Sequence, residues 1–293
     1  MLAALVGNSL LIFIVWKKPE VRSLTSFMFV NMAVADLLVA LVMMPWSIAF
    51  FYTEGKWLIK GTFGDFTCRT VIFIADVNVI ASIVCLIFIA VDRFYTVVYP
   101  LRRRAWFRKP NALTPLLWML SVALMTVTAV TSHLHSPSSM CCYNFEIWGD
   151  EQAGTRGHFI YLFVISYLIP LSIITALYAK TIQKLWYHQI RRDPLNQNVQ
   201  QQRQQRRQNR KHKKVIRALI VIVVVFALCW LPAQVYHLFI AITAWEVAVP
   251  DIVMYLVYCM GHVNSAINPW LFIGFNRKMT GFNWDMAEYW NTK

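Results

Sequence analysis

The chain has 293 residues, is 58% hydrophobic and only 14% charged, and carries a formal net charge of +14, with a mean hydropathy of +0.49. Soluble domains are about 25% charged, so these totals exclude an ordinary soluble domain, and the apolar excess excludes a nucleic-acid binder despite the basic balance. A polytopic membrane protein is what remains.

The apolar runs predict seven membrane helices, each measured against the roughly 20 residues needed to cross a bilayer. The first is a partial run over about 1–16 that holds Gly7 and Asn8. It begins at Met1 with no polar region before it and no cleavable signal peptide, as though a native start lay upstream. The second covers about 25–51, with Asp36 in its apolar middle and Pro45 beyond. The third covers about 65–98 and carries the charged pair Asp92-Arg93 near its end. The fourth, about 112–131, is built around Trp118. A long connection from His133 to His158, with Pro137, Gly149, Gly154 and Gly157, leads to the fifth, about 159–188, which holds Pro170. The slight alternation over Tyr143 to Trp148 suggests a short β-hairpin.

Residues 191–210 are rich in Gln, Asn and Arg. They have almost nothing apolar to bury and read as a mobile cytoplasmic loop. The sixth helix covers about 211–242 around Pro232, and the seventh about 247–273 around Pro269. From 275 to 289, Phe275, Met279, Phe282 and Met286 alternate with Arg277, Lys278 and Asp285, a spacing that suits a short helix lying in the membrane interface. The prolines are tolerable because neighbouring helices re-satisfy the freed carbonyls, and they mark where helices bend. The fold class is therefore an all-α membrane protein, a single seven-transmembrane helix bundle with an interfacial C-terminal helix.

Basic residues crowd four places: Lys17 to Arg22, Arg102 to Lys109, Lys180 to Arg217, and Arg277-Lys278. The alternate connections hold only Lys56, Lys60 and Arg156. That alternation is the positive-inside rule repeated along the chain. It places the N-terminus outside and the C-terminus in the cytoplasm, which requires an odd number of crossings. No N-x-Ser/Thr acceptor falls in an outside segment. Cys85, Cys229 and Cys259 lie in apolar runs and read as buried hydrophobes, whereas Cys68, Cys141 and Cys142 fall outside, where disulfides persist.

Certain residues recur one per helix and in order: Gly7-Asn8; Asn31 and Asp36 in NMAVADLL; Trp57 ahead of Cys68; Asp92-Arg93-Phe94; Trp118; Pro170 and Tyr178; FALCWLP from Phe226 to Pro232; and NPWLF from Asn268 to Phe272. Together they resemble the rhodopsin-like family of G-protein-coupled receptors, of the neuropeptide-receptor type, over nearly the whole chain. The resemblance implies no catalytic residues and no required cofactor. It implies an activation switch of Asp92, Arg93, Tyr178, Asn268, Pro269 and Phe272 facing a heterotrimeric G protein. Arg93 pairs with Asp92 at rest in this picture and swings to the G protein when active. Phe226, Trp230 and Pro232 form its transmission element, with Trp230 the floor of a ligand cavity lined also by Ala75, Asp76, Gln234, His237 and Tyr255. Cys68 bonds one of Cys141 and Cys142, and the sequence does not choose between them.

Asp36 in mid-bilayer is costly unless satisfied. Asn78, Ser82 and Arg93 share one stripe of the third helix by the 3.6 period. With Asn264 and Ser265 they make either a hydrogen-bonded network or, as the resemblance implies, a resting-state Na⁺ site of Asp36, Asn78, Ser82, Asn264 and Ser265, since oxygen ligands suit a hard cation.

Two departures from the family pattern stand out. The inner end of the sixth helix, Arg210 to Lys214, holds no carboxylate to pair with Arg93, and Phe272 replaces the usual Tyr. Both predict raised basal signalling. For the ligand, an opsin would need a Lys in the seventh helix, where His262 stands. An amine receptor would need an Asp at position 75; that residue is Ala75, with Asp76 displaced by about 100° around the helix. Asp76, Glu146, Asp150, Glu151, Glu246 and Asp251, with Trp46, Phe50, Trp57, Tyr143, Trp148, Tyr161, Tyr236, Trp245 and Tyr255, instead suggest an acidic, aromatic vestibule for a peptide bearing basic and aromatic residues. The alternatives are a small-molecule receptor of the same fold, for an amine or lipid, and a seven-helix transporter or pump, which would want paired halves or a buried Schiff-base Lys. The basic inner surface suits membrane lipids as well as a G protein.

Overall fold

The computed structural model describes residues 1–99, 110–135, 138–146, 149–190, 199–244, 246–247 and 249–276, with the backbone alone at 187–190, 199–203 and 205–206. The helices are α1 (Leu2–Lys17), α2 (Leu24–Leu38 and Met44–Tyr52, joined through the π-turn Val39–Met43), α3 (Gly61–Val98), α4 (Pro110–Thr131), α5 (Glu151–Phe163 and Ile169–Ile190, joined through the π-turn Val164–Leu168), α6 (Val199–Thr243) and α7 (Asp251–Phe275). Five of these, α2 to α6, are long and apolar enough to cross a membrane, and α1 is a shorter apolar helix. α7 has 25 residues, about 37 Å at 1.5 Å per residue, and holds its polar residues His262, Asn264, Ser265 and Asn268 away from the bundle exterior.

Each π-turn lies just before a proline. Pro45 and Pro170 would clash with the carbonyl four residues earlier in a regular helix, and widening the preceding turn relieves that clash. Glycine sets one close helix approach. A Cβ at Gly7 of α1 would lie 2.7 Å from Pro269 Cγ of α7, so only glycine admits this contact, as small residues do between membrane helices.

α3 runs through the middle, packing on α2, α4 and α5, and its buried Ile80, Ile83, Leu86 and Ile89 join Phe29, Leu117, Ile174, Ile222 and Phe226 in the main core. Polar side chains tie helices in pairs. Asn8 donates to Ser265 O at 3.1 Å, Asn31 donates to Thr114 Oγ1 at 3.1 Å while accepting from Trp118 Nε1 at 3.1 Å, and Tyr167 donates to Ala227 O at 3.1 Å.

An antiparallel hairpin, β1 (Ser132–His135) and β2 (Met140–Tyr143), caps one end. Alternation along the strands puts Leu134 and Cys141 on one face and His133, His135, Met140 and Cys142 on the other. Cys141 bonds Cys68 of α3, with Cα atoms 5.8 Å apart, and Leu134 N donates to Asp65 Oδ1 of the same helix at 2.8 Å. Trp57 N donates to Ser139 O at 2.6 Å, fixing the α2–α3 connection to the hairpin.

Several predicted boundaries move. The hairpin is not at 143–148 but at 132–143, where the disulfide and Asp65 hold it; Ile147 and Trp148 lie outside the described residues. α5 starts at Glu151 rather than 159, because the Asp150 carboxylate caps it, accepting from Ala153 N at 3.0 Å. α6 starts at Val199 rather than 211, so residues 199–210, expected to be mobile, have helical backbone; Gln and Arg are strong helix formers even without a core to bury. α3 starts at Gly61, and α7 at Asp251, after Pro250 in the capping position. The basic cluster Arg102 to Lys109, the segment 191–198 and the interfacial helix from 277 onward lie outside the described residues.

Candidate ligand cavity and coupling site

Beneath the hairpin the bundle opens into a cavity of about 780 Å³. The six residues expected at a ligand site all line this cavity: Ala75 and Asp76 from α3, Trp230, Gln234 and His237 from α6, and Tyr255 from α7. Of the expected vestibule acids, Asp76, Glu146, Glu151 and Asp251 line it, while Asp150 is spent as a helix cap and Glu246 accepts from Gln152 Nε2 at 3.1 Å. Trp46, Phe50, Tyr143 and Tyr236 line it too. Trp57 stands behind Trp46, with ring centroids 6.2 Å apart, and Tyr161 turns away to donate to Leu124 O of α4 at 2.6 Å. Trp148 and Trp245 lie outside the described residues.

The hairpin supplies the lid. Its disulfide uses Cys141 and leaves Cys142 free and half-buried. Burial pushes the Cys142 thiol above its ordinary value, so it holds little reactive thiolate. Below the lid, His158, which sequence reasoning missed, is buried between Tyr143, Phe145 and Phe159 at centroid distances of 4.8, 5.3 and 5.4 Å. Gly154 lies against Phe145, where a Cβ would approach Phe145 Cβ to 2.4 Å, so that glycine is what seats the lid on α5.

At the cavity floor Trp230 rests on Gly261 of α7, where a Cβ would lie 3.0 Å from the indole ring. Phe226 lies one turn further in, its ring 6.3 Å from Trp230, and Pro232 sits inside the continuous helix α6 just above. Ser47 and His262 meet at 2.8 Å across α2 and α7, a link with no sequence signal beyond the odd histidine.

Asp36, Asn78, Ser82, Asn264 and Ser265 also line this cavity at its deep end. Asn268 Nδ2 donates to Asp36 Oδ2 at 3.3 Å and to Asn264 Oδ1 at 3.1 Å, so Asn268, expected in the switch, also belongs to the Asp36 cluster. The two amide atoms of Asn78, Asn264 Nδ2 and Asn268 Oδ1 are buried without partners.

At the opposite end of α3, Arg93 pairs with Asp92 at 2.9 Å and donates to the Thr25 hydroxyl of α2. Among the described residues no carboxylate of α6 joins it. Tyr178 is buried in the core, and Phe272 stacks on Phe29 with ring centroids 3.8 Å apart.

A bundle of membrane helices with a lidded cavity at one end and a half-buried guanidinium at the other has the parts of a transmembrane receptor. Residues 7–272 match the seven-transmembrane receptor (rhodopsin) family, and the chain belongs to that family. It is 30% identical to the allatostatin-A receptor of Bombyx mori over 92% of this chain and 72% of that one. It is 30% identical to the KiSS-1 receptor of Mus musculus, over 93% and 68% respectively. With a QRFP-like peptide receptor of Branchiostoma floridae it shares 28% identity over 80% and 60%.

Proposed function

We propose that this chain is a peptide-activated G-protein-coupled receptor of the plasma membrane, which converts binding of an extracellular peptide into activation of a heterotrimeric G protein. It is not an enzyme; the nucleotide exchange takes place on the partner. The observation that carries the reading is a continuous cavity joining the disulfide-pinned hairpin to Trp230 and Asp36, in a chain whose relatives are receptors named for allatostatin-A, KiSS-1 and QRFP-like peptide. The charge alternation supports an outer hairpin end and N-terminus, with the Arg93 end and C-terminus in the cytoplasm.

The mechanism is a population shift. A ligand pulls the bundle toward an open state only by the difference in its affinity for the two states. Peptide pressed on Trp230 shifts that ring across Gly261, and α6 pivots at Pro232, where a ring in place of an N–H has already cost a helix hydrogen bond. The Arg93 end of α6 moves outward and exposes Arg93 for a G-protein segment. In the resting state Asp36, Asn78, Ser82, Asn264 and Ser265 would hold Na⁺, for which the unpartnered buried amide oxygen of Asn78, in one cavity with the buried Asp36 carboxylate, is suited. The ion would supply countercharge to Asp36.

A screen of basic, aromatic-ended peptides against cells expressing the protein tests the proposal. Peptide-dependent G-protein activation is expected. Activation by small amines or lipids alone would overturn the peptide assignment.

A further inference from the structure

Asp36 and Asp76 are both carboxylates of the cavity wall, but their surroundings differ. Asp36 accepts from Asn268 and is buried at the deep end. Asp76, on the lid side of α3, has its Oδ2 atom buried with no hydrogen-bond partner. The Thr128 hydroxyl of α4 faces Asp76 without a hydrogen bond in good geometry. Among the described residues Arg69 pairs with Asp65 and Arg93 with Asp92, and Asp76 is in neither pair. Among the described residues the cavity lining contains no Lys or Arg, but four further carboxylates: Asp36, Glu146, Glu151 and Asp251. A buried carboxylate without a partner is costly, and it persists where function supplies the partner.

Two aromatic side chains share its surroundings. Tyr143 of the hairpin and Tyr258 of α7 line the same cavity. Burial first, then the charge of Asp76, pushes the Tyr143 phenol well above its ordinary range, so the lid tyrosine stays neutral. Ring faces beside a carboxylate favour a cation twice over, by charge and by the aromatic quadrupole.

We propose that Asp76, walled by Tyr143 and Tyr258, is the anchor for a single cationic group of the ligand, a guanidinium or a primary ammonium carried deep into the cavity, while Glu146, Glu151 and Asp251 attract it from above. The proposal rests on the peptide-receptor reading for its delivery of that group and names the chemistry of the group itself. Rim charges of this kind alter the rate of encounter, whereas a desolvated pair alters dissociation.

The test uses membranes holding the full chain and a heterotrimeric G protein, with guanosine thiotriphosphate uptake as readout. The probes are three versions of one synthetic hexapeptide library: arginine-bearing, with citrulline at each arginine, and N-acetylated. Citrulline keeps the shape of arginine and loses its charge. On the wild-type chain, removing one of the two cations, by citrulline or by acetylation, lowers potency by about 100-fold, and the arm that does so identifies the source. In Asp76→Asn, matched for surface expression, the charged and uncharged versions become equipotent. In Glu151→Gln both versions weaken alike, by a few-fold. Equal potency of all three versions on the wild-type chain overturns the proposal without any variant having to fold, and so does an undiminished preference for charge in Asp76→Asn. If no peptide acts and a small amine does, with its action lost in Asp76→Asn, the anchor stands and the peptide reading falls. If the only activator is an uncharged peptide, the anchor falls and the peptide reading stands; if it is an uncharged small molecule, both fall.

Discussion

At the hairpin end the bundle parts around about 780 Å³ of cavity, and several polar atoms there lack partners: Asp76 Oδ2, Gln234 Oε1 and His237 Nδ1 are all buried and unpaired. At the Arg93 end the helices close on one another. Phe29 stacks on Phe272, and Ile89, Leu185, Ile216 and Leu219 fill the space between. The same helices thus serve two purposes along their length. Unsatisfied groups at one end leave binding energy for a guest, and close packing at the other makes the resting shape a discrete state that a guest can displace.

The largest effect expected on this contrast comes from untying the lid. Cys141→Ser opens a loop with a sequence separation of 73, worth about 4 kcal/mol in the chain-entropy picture. Surface expression and peptide potency should collapse together, while Cys142→Ser changes neither. Equal effects of the two serines, measured by surface labelling and thermal unfolding, would show that the hairpin is not held as described.

Next in size is the packed end. Phe29→Ala removes one ring of the Phe29–Phe272 stack and leaves a cavity, at about 3–5 kcal/mol. A lowered unfolding temperature is expected, with peptide affinity in the surviving protein weakened much less than by lid mutations. Asp36→Asn divides the two ends from the middle. Sodium should no longer lower agonist affinity, because the anionic ligand is gone, and the folded protein should be no less stable, since an amide there avoids burying a charge. Sodium sensitivity unchanged in a radioligand competition would remove the ion site.

The smallest effect is at Arg93. Thr25→Val keeps the side-chain shape and deletes the hydroxyl that accepts from Arg93. With no α6 carboxylate on Arg93 among the described residues, this bond and Asp92 restrain it, and unliganded signalling should rise by up to about tenfold. A silent variant in a ligand-free reporter assay would show that the restraint lies elsewhere.

The sequence made much of this visible, for identifiable reasons. Apolar runs bounded by basic clusters located seven helices because a bilayer leaves a chain few options. The cavity residues from Ala75 to Tyr255 and the Asp36 cluster were legible because polar side chains are rare in such runs and share helix faces. What was not legible depends on close approach in space. Gly261 beneath Trp230 and Gly154 beneath Phe145 look like any glycine until a neighbouring helix stands against them. The choice of Cys141 over Cys142 needed the strand register, since adjacent residues of a strand point to opposite faces. Residues 199–210 looked like a loop because they have no apolar face, yet helix propensity alone extends α6 through them.

The central claim is that occupancy at the hairpin end moves α6 at the Arg93 end. Spin labels at Tyr95 of α3 and Val215 of α6, both on the exposed surface, report that motion directly in the lipid-embedded protein. On adding a peptide that activates the G protein, the distance distribution between them should gain a longer component, and Pro232→Ala should diminish it. An unchanged distribution, with G-protein nucleotide exchange nevertheless rising, would contradict the account.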